Sequence, residues 1–483
     1  MHISLILRIL GMLLMLFSLT LITPIVVSFI FDDKAYPAFL FSFLITLISG
    51  ALMWMPVHKQ RTEELRTRDG FLITSLFWLV LGLFGALPFL FAQTPELTIS
   101  EAAFESISGL TTTGATVISG LDHLPKSILF YRQQLQWIGG IGIIVIAVAI
   151  LPMLGIGGMQ LYRAETPGPI KDNKLTPRIT ETAKALFVVY LMLTASCALA
   201  YWLAGMTVFD AICHSFSTVA IGGFSTHDAS IGYFNSPAIM MICSVYMLIA
   251  GINFALHFYA WRLKRISHYL RDPETLFYCY VILGAMVLIS GYLILSGSYS
   301  IDEGLLHGIF QTVSIATTTG FATTDFAHWP SFLPLLLILL SFMGGCGGST
   351  GGGIKAVRVM LMAKQGVREL SQLVHPNAVI PLKVGNRRVE AKVVSAVWSF
   401  FAVYGFTFII LLLLLMSTGM DQVTAFSAVA ATLNNLGPGL GEVASNFSTI
   451  GATSQWLLCF SMLLGRLEVF TLLVLFTPAF WRR

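Results

Sequence analysis

Four short segments carry the groups in this chain best suited to hold a bare cation. Thr111-Thr112-Thr113-Gly114 recurs letter for letter as Thr317-Thr318-Thr319-Gly320. Ala220-Ile221-Gly222-Gly223 and Asn434-Asn435-Leu436-Gly437 are looser copies, and the closing glycines follow one another after 109, 97 and 117 residues. A cation leaving water needs its hydration oxygens replaced, and a ring of backbone carbonyls can supply them. Aiming successive carbonyls at one axis requires backbone angles that glycine adopts without steric penalty. One such tetrapeptide would be a chance loop, whereas four in matching positions of four similar units point to a shared pore. No catalytic set accompanies them. His214, His227 and His307 lack metal-ligand spacing and read as ordinary polar contacts, and no nucleophile stands with a base, which argues against a membrane-embedded enzyme.

The elements that must place these loops are membrane helices. The 483 residues are 56% hydrophobic and 11% charged, against about a quarter charged in a soluble chain. About ten apolar runs approach the roughly 20 residues that span a bilayer, among them Leu135–Leu154, Ala238–Trp261, an interrupted Phe332–Met362, and Trp456–Phe480. The chain therefore reads as an all-α polytopic membrane protein. Its internal period divides it into an N-terminal two-helix hairpin, 1–57, and four pseudo-repeats of helix, re-entrant pore loop and helix around a central pore, at 70–154, 183–261, 275–363 and 393–483. The first run is too long for a cleaved signal peptide and is expected to stay as a helix. The middle segment of each repeat is Ser100–Leu110, Asp210–Val219, Gly304–Ala316 or Gln422–Leu433. As helix it reaches roughly 15–20 Å, too short for a core of about 30 Å, so it must enter and leave on one side. Irregular backbone at that depth survives only against protein or water. Small or hydroxyl residues recur six positions before each glycine, at Ser108, Ser217, Ser314 and Ala431, where helices must pack closely.

Charge distribution orients the chain. Of 28 Lys and Arg, 24 lie on the side away from the four loops, clustered at His58–Arg68, Arg163–Lys184, Arg262–Arg271, Lys355–Lys392 and Arg482–Arg483 apart from Arg8. The positive-inside rule makes that side cytoplasmic, with both termini there. The loop side carries Glu96, Glu101, Glu105, Asp122, Asp210, Asp228, Asp302, Glu303, Asp325, Asp421 and Glu442, expected to concentrate cations. The basic connectors are Arg163–Arg178, Arg262–Pro273 and Lys364–Lys392; the stretch Lys355–Lys392 is either the orientation signal alone or also a docking surface for a soluble regulator. The six cysteines are scattered in apolar surroundings and read as small core residues.

Two features lie in the path below the loops. Gly344-Gly345-Cys346-Gly347-Gly348-Ser349-Thr350-Gly351-Gly352-Gly353 interrupts the eighth run with seven glycines in ten residues. Each costs a helix about 1 kcal/mol relative to Ala, so the stretch should not be helical. It is either a passive kink or a gate at mid-bilayer, and it lacks the Gly-Lys-Ser/Thr of a nucleotide-binding loop. Arg466 lies near the centre of the tenth run, where a charge costs at least ~2.5 kcal/mol. It is either bonded to a buried acid or carbonyls, or it is a positive point in the permeation path. Glu468, two residues on, would face away from it on a helix.

Through Gly109–Thr116, Ile221–Ser230, Ala316–Thr323, Gly344–Lys355, Thr432–Gly441 and Gly465–Thr471, and through the added N-terminal hairpin, the chain resembles the potassium-translocating subunits of the Trk/Ktr/HKT superfamily, in the bacterial TrkH/TrkG branch. The resemblance covers nearly the whole chain. It implies gated potassium uptake across the bacterial inner membrane, with K⁺ as the transported ion and no organic cofactor in this chain. It implies a selectivity filter lined by carbonyls of Thr111–Gly114, Ala220–Gly223, Thr317–Gly320 and Asn434–Gly437. It also implies that the loop Gly344–Gly353 obstructs the pore until it moves, and it supports Arg466 as a barrier to cations. Its partners would be a second copy in the membrane and a cytosolic ring of TrkA-type subunits binding NAD or ATP/ADP, with no nucleic acid; this chain has no Rossmann fingerprint of its own. One glycine per loop matches the potassium-channel signature only in part, which implies that Rb⁺ passes and Na⁺ is partly excluded. The alternative is a Na⁺-permeable or Na⁺-coupled relative, against which Gly114 in the first loop argues.

Overall fold

The structure is a computed structural model that describes residues 2–58, 66–149, 179–385 and 387–482. The end of the first expected repeat and the connector Arg163–Arg178 lie outside these residues. The chain is all-α; among the described residues the only strands are the two-residue pair Lys383–Val384 and Arg387–Arg388, antiparallel to each other. Four repeats of helix, re-entrant pore loop and helix surround a central axis, with a helical hairpin added at the N-terminus.

The hairpin runs through Ile3–Thr20 and Ile22–Phe31, then returns as Tyr36–Trp54. Two glycines let its arms touch. A Cβ on Gly11 would meet Gly50 O at 2.6 Å, and one on Gly50 would meet Gly11 O at 2.7 Å. Small residues of this kind let helices associate in lipid, where no hydrophobic force drives them together. Asp33 and Thr20 then tie the hairpin to the first repeat, accepting from Ser127 N at 2.8 Å and Gln134 Nε2 at 2.9 Å.

The pore helices are Ile99–Leu110, Val208–Ala220, Ile301–Ala316 and Gln422–Leu433, within three residues of the expected segments. Each begins on a side chain that satisfies otherwise unpaired N–H groups: Thr98, Thr207, Ser300 and Asp421. In the first, Glu101 also reaches back to Thr98 N at 2.8 Å, completing a capping box. Several acids expected to gather cations therefore have a structural task. Glu101, Asp210 and Glu303 stand in the first turn of a pore helix, and Asp421 is itself a cap.

Two of the apolar runs are not straight spans. Ala238–Trp261 is broken into Pro237–Ala250 and Phe254–Leu263, which meet at 94°. Trp456–Phe480 is broken after Arg466, and the chain turns by 108° into Phe470–Phe476. Six helices are long and apolar enough to cross a membrane, or eight if each bent pair is one span, among the described residues. The two other expected runs depart from that test visibly: Lys126–Ala149 carries Arg132, Gln133, Gln134 and Gln136, and the eighth is cut by its glycines. Below that cut the helix Ala356–Val374 continues past Met362, so part of the connector Lys364–Lys392 is helix and hairpin rather than link.

Gly50→Leu drives a side chain into the backbone of the first helix. It should lower stability by about 1–3 kcal/mol, as overpacking does, read as an earlier melting transition of the detergent-purified protein; an unchanged transition would show that the hairpin arms do not depend on this contact.

Candidate functional site: a ring of four loops

The four loops share one backbone design. The residue before each closing glycine donates its N–H to the carbonyl six positions before that glycine: Thr113 to Ser108, Gly222 to Ser217, Thr319 to Ser314 and Leu436 to Ala431, at 2.9, 2.8, 2.8 and 2.7 Å. The residue two before the glycine is left-handed in all four, with φ of 54° at Thr112, 55° at Ile221, 67° at Thr318 and 53° at Asn435. The glycines follow with φ of 80° at Gly114, 78° at Gly223, 83° at Gly320 and 101° at Gly437. The small residues at Ser108, Ser217, Ser314 and Ala431 thus mark where each loop folds back on its own helix.

The loops meet in cyclic order. A Cβ placed on Gly114 would collide with Gly222 O, one on Gly223 with Thr319 O, one on Gly320 with Leu436 O, and one on Gly437 with Thr113 O. First touches second, second third, third fourth, and fourth first. Thr111 and Thr113 share a hydroxyl contact of 2.8 Å, and Thr317 and Thr319 repeat it at 2.7 Å. The fourth loop uses amides instead: Asn434 is held by Tyr404 Oη at 2.6 Å and Ser341 Oγ at 2.9 Å, and Asn435 Nδ2 crosses the ring to Thr113 Oγ1 at 2.9 Å. The loop residues are buried up to Gly114, Gly223 and Gly320, where partial exposure begins.

The glycine-rich segment lies directly beneath and is not helical. Its base is closed by Ile354 N to Phe342 O at 2.9 Å and Lys355 N to Met343 O at 3.1 Å. Its tip bonds to three repeats. Thr350 Oγ1 donates to Val219 O at 2.9 Å, Gly352 N to Thr318 Oγ1 at 2.7 Å, and Gly353 N to Asn434 O at 2.9 Å. Two of these acceptors, Val219 O and Asn434 O, are carbonyls at the C-terminal ends of pore helices. Gly352 is pressed so close to Asn434 O that a Cβ would collide with it. Gly344 and Gly345 lie at the base, where Gly345 O accepts from Ala356 N at 3.0 Å. Cys346 N and Gly348 O bond across the break of the sixth span, to Gly251 O at 2.8 Å and Phe254 N at 3.1 Å, and Ser349 Oγ turns back to Cys346 O at 2.7 Å. Gly347 N donates to Glu274 Oε1 at 2.6 Å, and Gly351 O accepts from Lys355 Nζ.

Arg466 joins the two parts. Its guanidinium donates to Thr112 Oγ1 at 3.2 Å, Thr350 O at 3.3 Å and Gly139 O at 2.5 Å, and lies 5.1 Å from the Trp78 ring centre. Arg466 is thus bonded to two backbone carbonyls and one hydroxyl, between the first loop and the glycine-rich segment. The expectation for Glu468 had rested on an unbroken helix. The helix ends at Arg466, Glu468 and Val469 have φ of 52° and 60°, and the Glu468 carboxylate is bonded by Arg358.

Glu105 is not among the outer acids that face water. It is buried with Arg132 at 2.7 Å, and the pair had no local signal, being 27 residues apart. Gln136 lies four residues from Arg132, which places both on one face of the helix Lys126–Ala149. On the outer side His227 bridges the first and second repeats. Its Nδ1 bonds Asp122, its Nε2 lies 3.5 Å from Asp210 Oδ1, Tyr233 stacks on it with centroids 3.5 Å apart, and the His214 ring centre is 6.4 Å away. Burial disfavours the imidazolium, but the Asp210 and Asp122 carboxylates outweigh it and hold the His227 pKa above the ordinary histidine value. Asp122 is partly desolvated, yet its bonds to His227 and Asp228 N keep its carboxyl below the usual range. His214 bonds Asp210 O and Ser225 Oγ, both at 2.9 Å, and His307 bonds Thr323 at 2.9 Å. Among the described residues no cluster of three His, Cys, Asp or Glu side chains could hold a metal.

A sequence profile described as "TrkH: Cation transport protein" matches residues 35–483. The chain is similar to the "Trk system potassium uptake protein TrkH" of Halomonas elongata, 57% identical over 483 residues and 100% of both chains. It is 55% identical to the protein of that name from Escherichia coli K12, again over 100% of both. Among solved structures, the "Crystal Structure of the Potassium Transporter TrkH from Vibrio parahaemolyticus" superposes with a TM-score of 0.90 at 53% identity, covering 100% of each chain.

The stability lent by the His227 bridge has a defined sign. It is fully present below an unfolded-state pKa of about 6.5 and is lost as pH rises through the higher folded value. The Asp122 contribution is lost only as pH falls through its depressed value. His227→Gln should therefore lower the melting temperature more at pH near 6 than near 9; equal losses at both would assign the effect to the Tyr233 stack alone.

Proposed function

Because this chain belongs to the TrkH family of cation transport proteins, we propose that it admits potassium through the ring of four loops, and that the glycine-rich segment and Arg466 close the path from below. The chain is a transport protein and not an enzyme. The observation that carries the reading is the cyclic order of backbone contact, in which each loop's glycine abuts the next loop's carbonyl. Carbonyls of Thr111–Gly114, Ala220–Gly223, Thr317–Gly320 and Asn434–Gly437 replace the water of a dehydrating K⁺.

The closed state follows from the bonds beneath the ring. Pore-helix C-termini carry partial negative charge that favours a cation below them. Val219 O and Asn434 O, which would offer that charge, are instead bonded to Thr350 and Gly353. Arg466 adds a positive charge at the same level. A monovalent cation about 4 Å from it meets a barrier of about 4 kcal/mol at an effective dielectric constant near 20. Opening moves the segment away from the pore helices, hydrates the guanidinium and lowers that barrier.

The remaining parts of this reading concern location and partners. The chain sits multi-pass in a bacterial inner membrane with both termini cytoplasmic, in keeping with its basic inner segments. It pairs with a second copy, and a cytosolic nucleotide-binding ring moves the segment. The helix Ala356–Val374 supports this, because it starts at the glycine-rich segment and exposes Val367, Leu370, Leu373 and Val374 on the far side.

Uptake of radioactive rubidium into liposomes tests the transport claim: the wild type should load, with excess K⁺ competing more strongly than Na⁺, and Gly114→Ser should weaken that preference. No uptake by folded, partner-supplied protein would defeat it. The gate has its own test. If even about 1.4 kcal/mol of the barrier belongs to the arginine, Arg466→Ala raises basal flux about tenfold, and Gly352→Ala, whose methyl cannot fit against Asn434 O, raises it as well. Flux that stays level or falls in both, at normal expression, would remove the segment and Arg466 from gating.

A further inference from the structure

We propose that Arg132 and Gln136 form a brace behind the ring that fixes the spacing of the first two loops and so sets the preference for potassium over sodium. The proposal rests on the ring being the filter. Both side chains leave one face of the helix Lys126–Ala149 and are fully buried, as is Glu105. Arg132 ties together the two limbs that climb away from Gly114 and Gly223. Its guanidinium bonds Thr116 Oγ1 at 3.1 Å on the first limb and Glu105 Oε1 at 2.7 Å on the pore helix Ile99–Leu110 before it. On the second limb it bonds Ser225 O at 3.1 Å and lies 4.2 Å from the Phe224 ring centre. From the pore helix Glu105 also holds the first limb itself, accepting from Thr116 Oγ1 at 3.0 Å and Val117 N at 3.1 Å.

One turn further along, Gln136 grips the second loop on both sides of its glycine. Its Nε2 donates to Gly222 O at 2.5 Å, and its Oε1 accepts from Phe224 N at 3.1 Å. Gly222 O is the carbonyl against which Gly114 packs. The brace therefore holds the edge of the ring where first and second loops touch. Sodium is the smaller ion and needs its oxygens closer than potassium does. A ring whose edge is fixed by a charge-assisted bond network resists that contraction, and one whose brace is cut does not. Arg132 and Gln136 are positioning residues in this scheme; neither needs to touch the ion.

The test uses full-length protein in liposomes, with rubidium uptake competed by K⁺ or Na⁺, and melting followed in parallel. The variants are Gln136→Leu, which releases Gly222 O; Arg132→Lys, which keeps charge but cannot span both limbs; and Thr116→Val, which removes one shared hydroxyl and leaves the Arg132–Glu105 pair. The K⁺/Na⁺ preference should drop about threefold or more in Gln136→Leu and Arg132→Lys, and to a smaller extent in Thr116→Val. A lowered melting temperature with unchanged preference would make the brace merely structural and overturn the proposal. Should Arg132→Lys or Gln136→Leu fail to fold, Thr116→Val decides, since it keeps the ion pair. A wild type without K⁺ preference, or Gly114→Ser that behaves as wild type, would instead sink the filter reading and the brace with it. An intact preference in the variants alone would sink only the brace.

Discussion

Where four stretches of backbone crowd about one axis, nothing larger than hydrogen fits between them, and the rest of the structure answers to that steric fact. The closing glycines meet it directly. The residues two places earlier meet it under strain, since Thr112, Ile221, Thr318 and Asn435 all adopt left-handed backbone. Such angles are disfavoured by about 1–3 kcal/mol for residues bearing a side chain and persist only where surroundings over-determine them. Here the surroundings are the ends of the pore helices. The bond that each loop returns to the helix six positions before its glycine leaves the chain no other course. The caps at Thr98, Thr207, Ser300 and Asp421 anchor the far ends of the same helices.

A second demand comes from the bilayer. Backbone polar groups at mid-membrane must find protein or water. The glycine-rich segment satisfies carbonyls at two pore-helix ends, Val219 O through the Thr350 hydroxyl and Asn434 O through Gly353 N, while its Gly352 and Gly347 N–H groups donate to Thr318 and Glu274. It can do so because it too lacks side chains where it presses upward. Ring and segment are thus packed as one unit, and the break in the eighth span lies at the depth where that packing requires it. The breaks in the sixth and tenth spans belong to the same unit. Gly251 and Phe254 bond the segment across one bend, and Arg466 reaches it from the last turn before the other.

Much of this was legible in the sequence because it is written in glycine. The four closing glycines, the small residues six places before them and the ten-residue interruption are all backbone requirements, and backbone requirements repeat with the repeat. That the pore helices are too short to cross the bilayer followed from their length. What could not be read depends on distant partners. Glu105 looked like one more outer acid because Arg132 lies a helix away, and the pair exists only once the first loop has folded. Glu101 and Asp421 looked like part of a charged vestibule until their N–H partners were known. The bend after Arg466 turns at Glu468 and Val469, neither proline nor glycine, and the Glu468 carboxylate there is bonded by Arg358 from a distant helix. The helical-wheel argument for Glu468 therefore started from a helix that had already ended.

That all four loops belong to one polypeptide has an evolutionary consequence. In a channel assembled from four identical subunits, any substitution is struck four times at once and the selectivity ring changes in a single leap. In this chain a codon change alters one quadrant and leaves three as they were. The two threonine triplets, the Ala-Ile-Gly variant and the asparagine pair already make the quadrants unlike one another within one ring. With the ring read as the proposed filter, ion preference can be retuned in quarter steps.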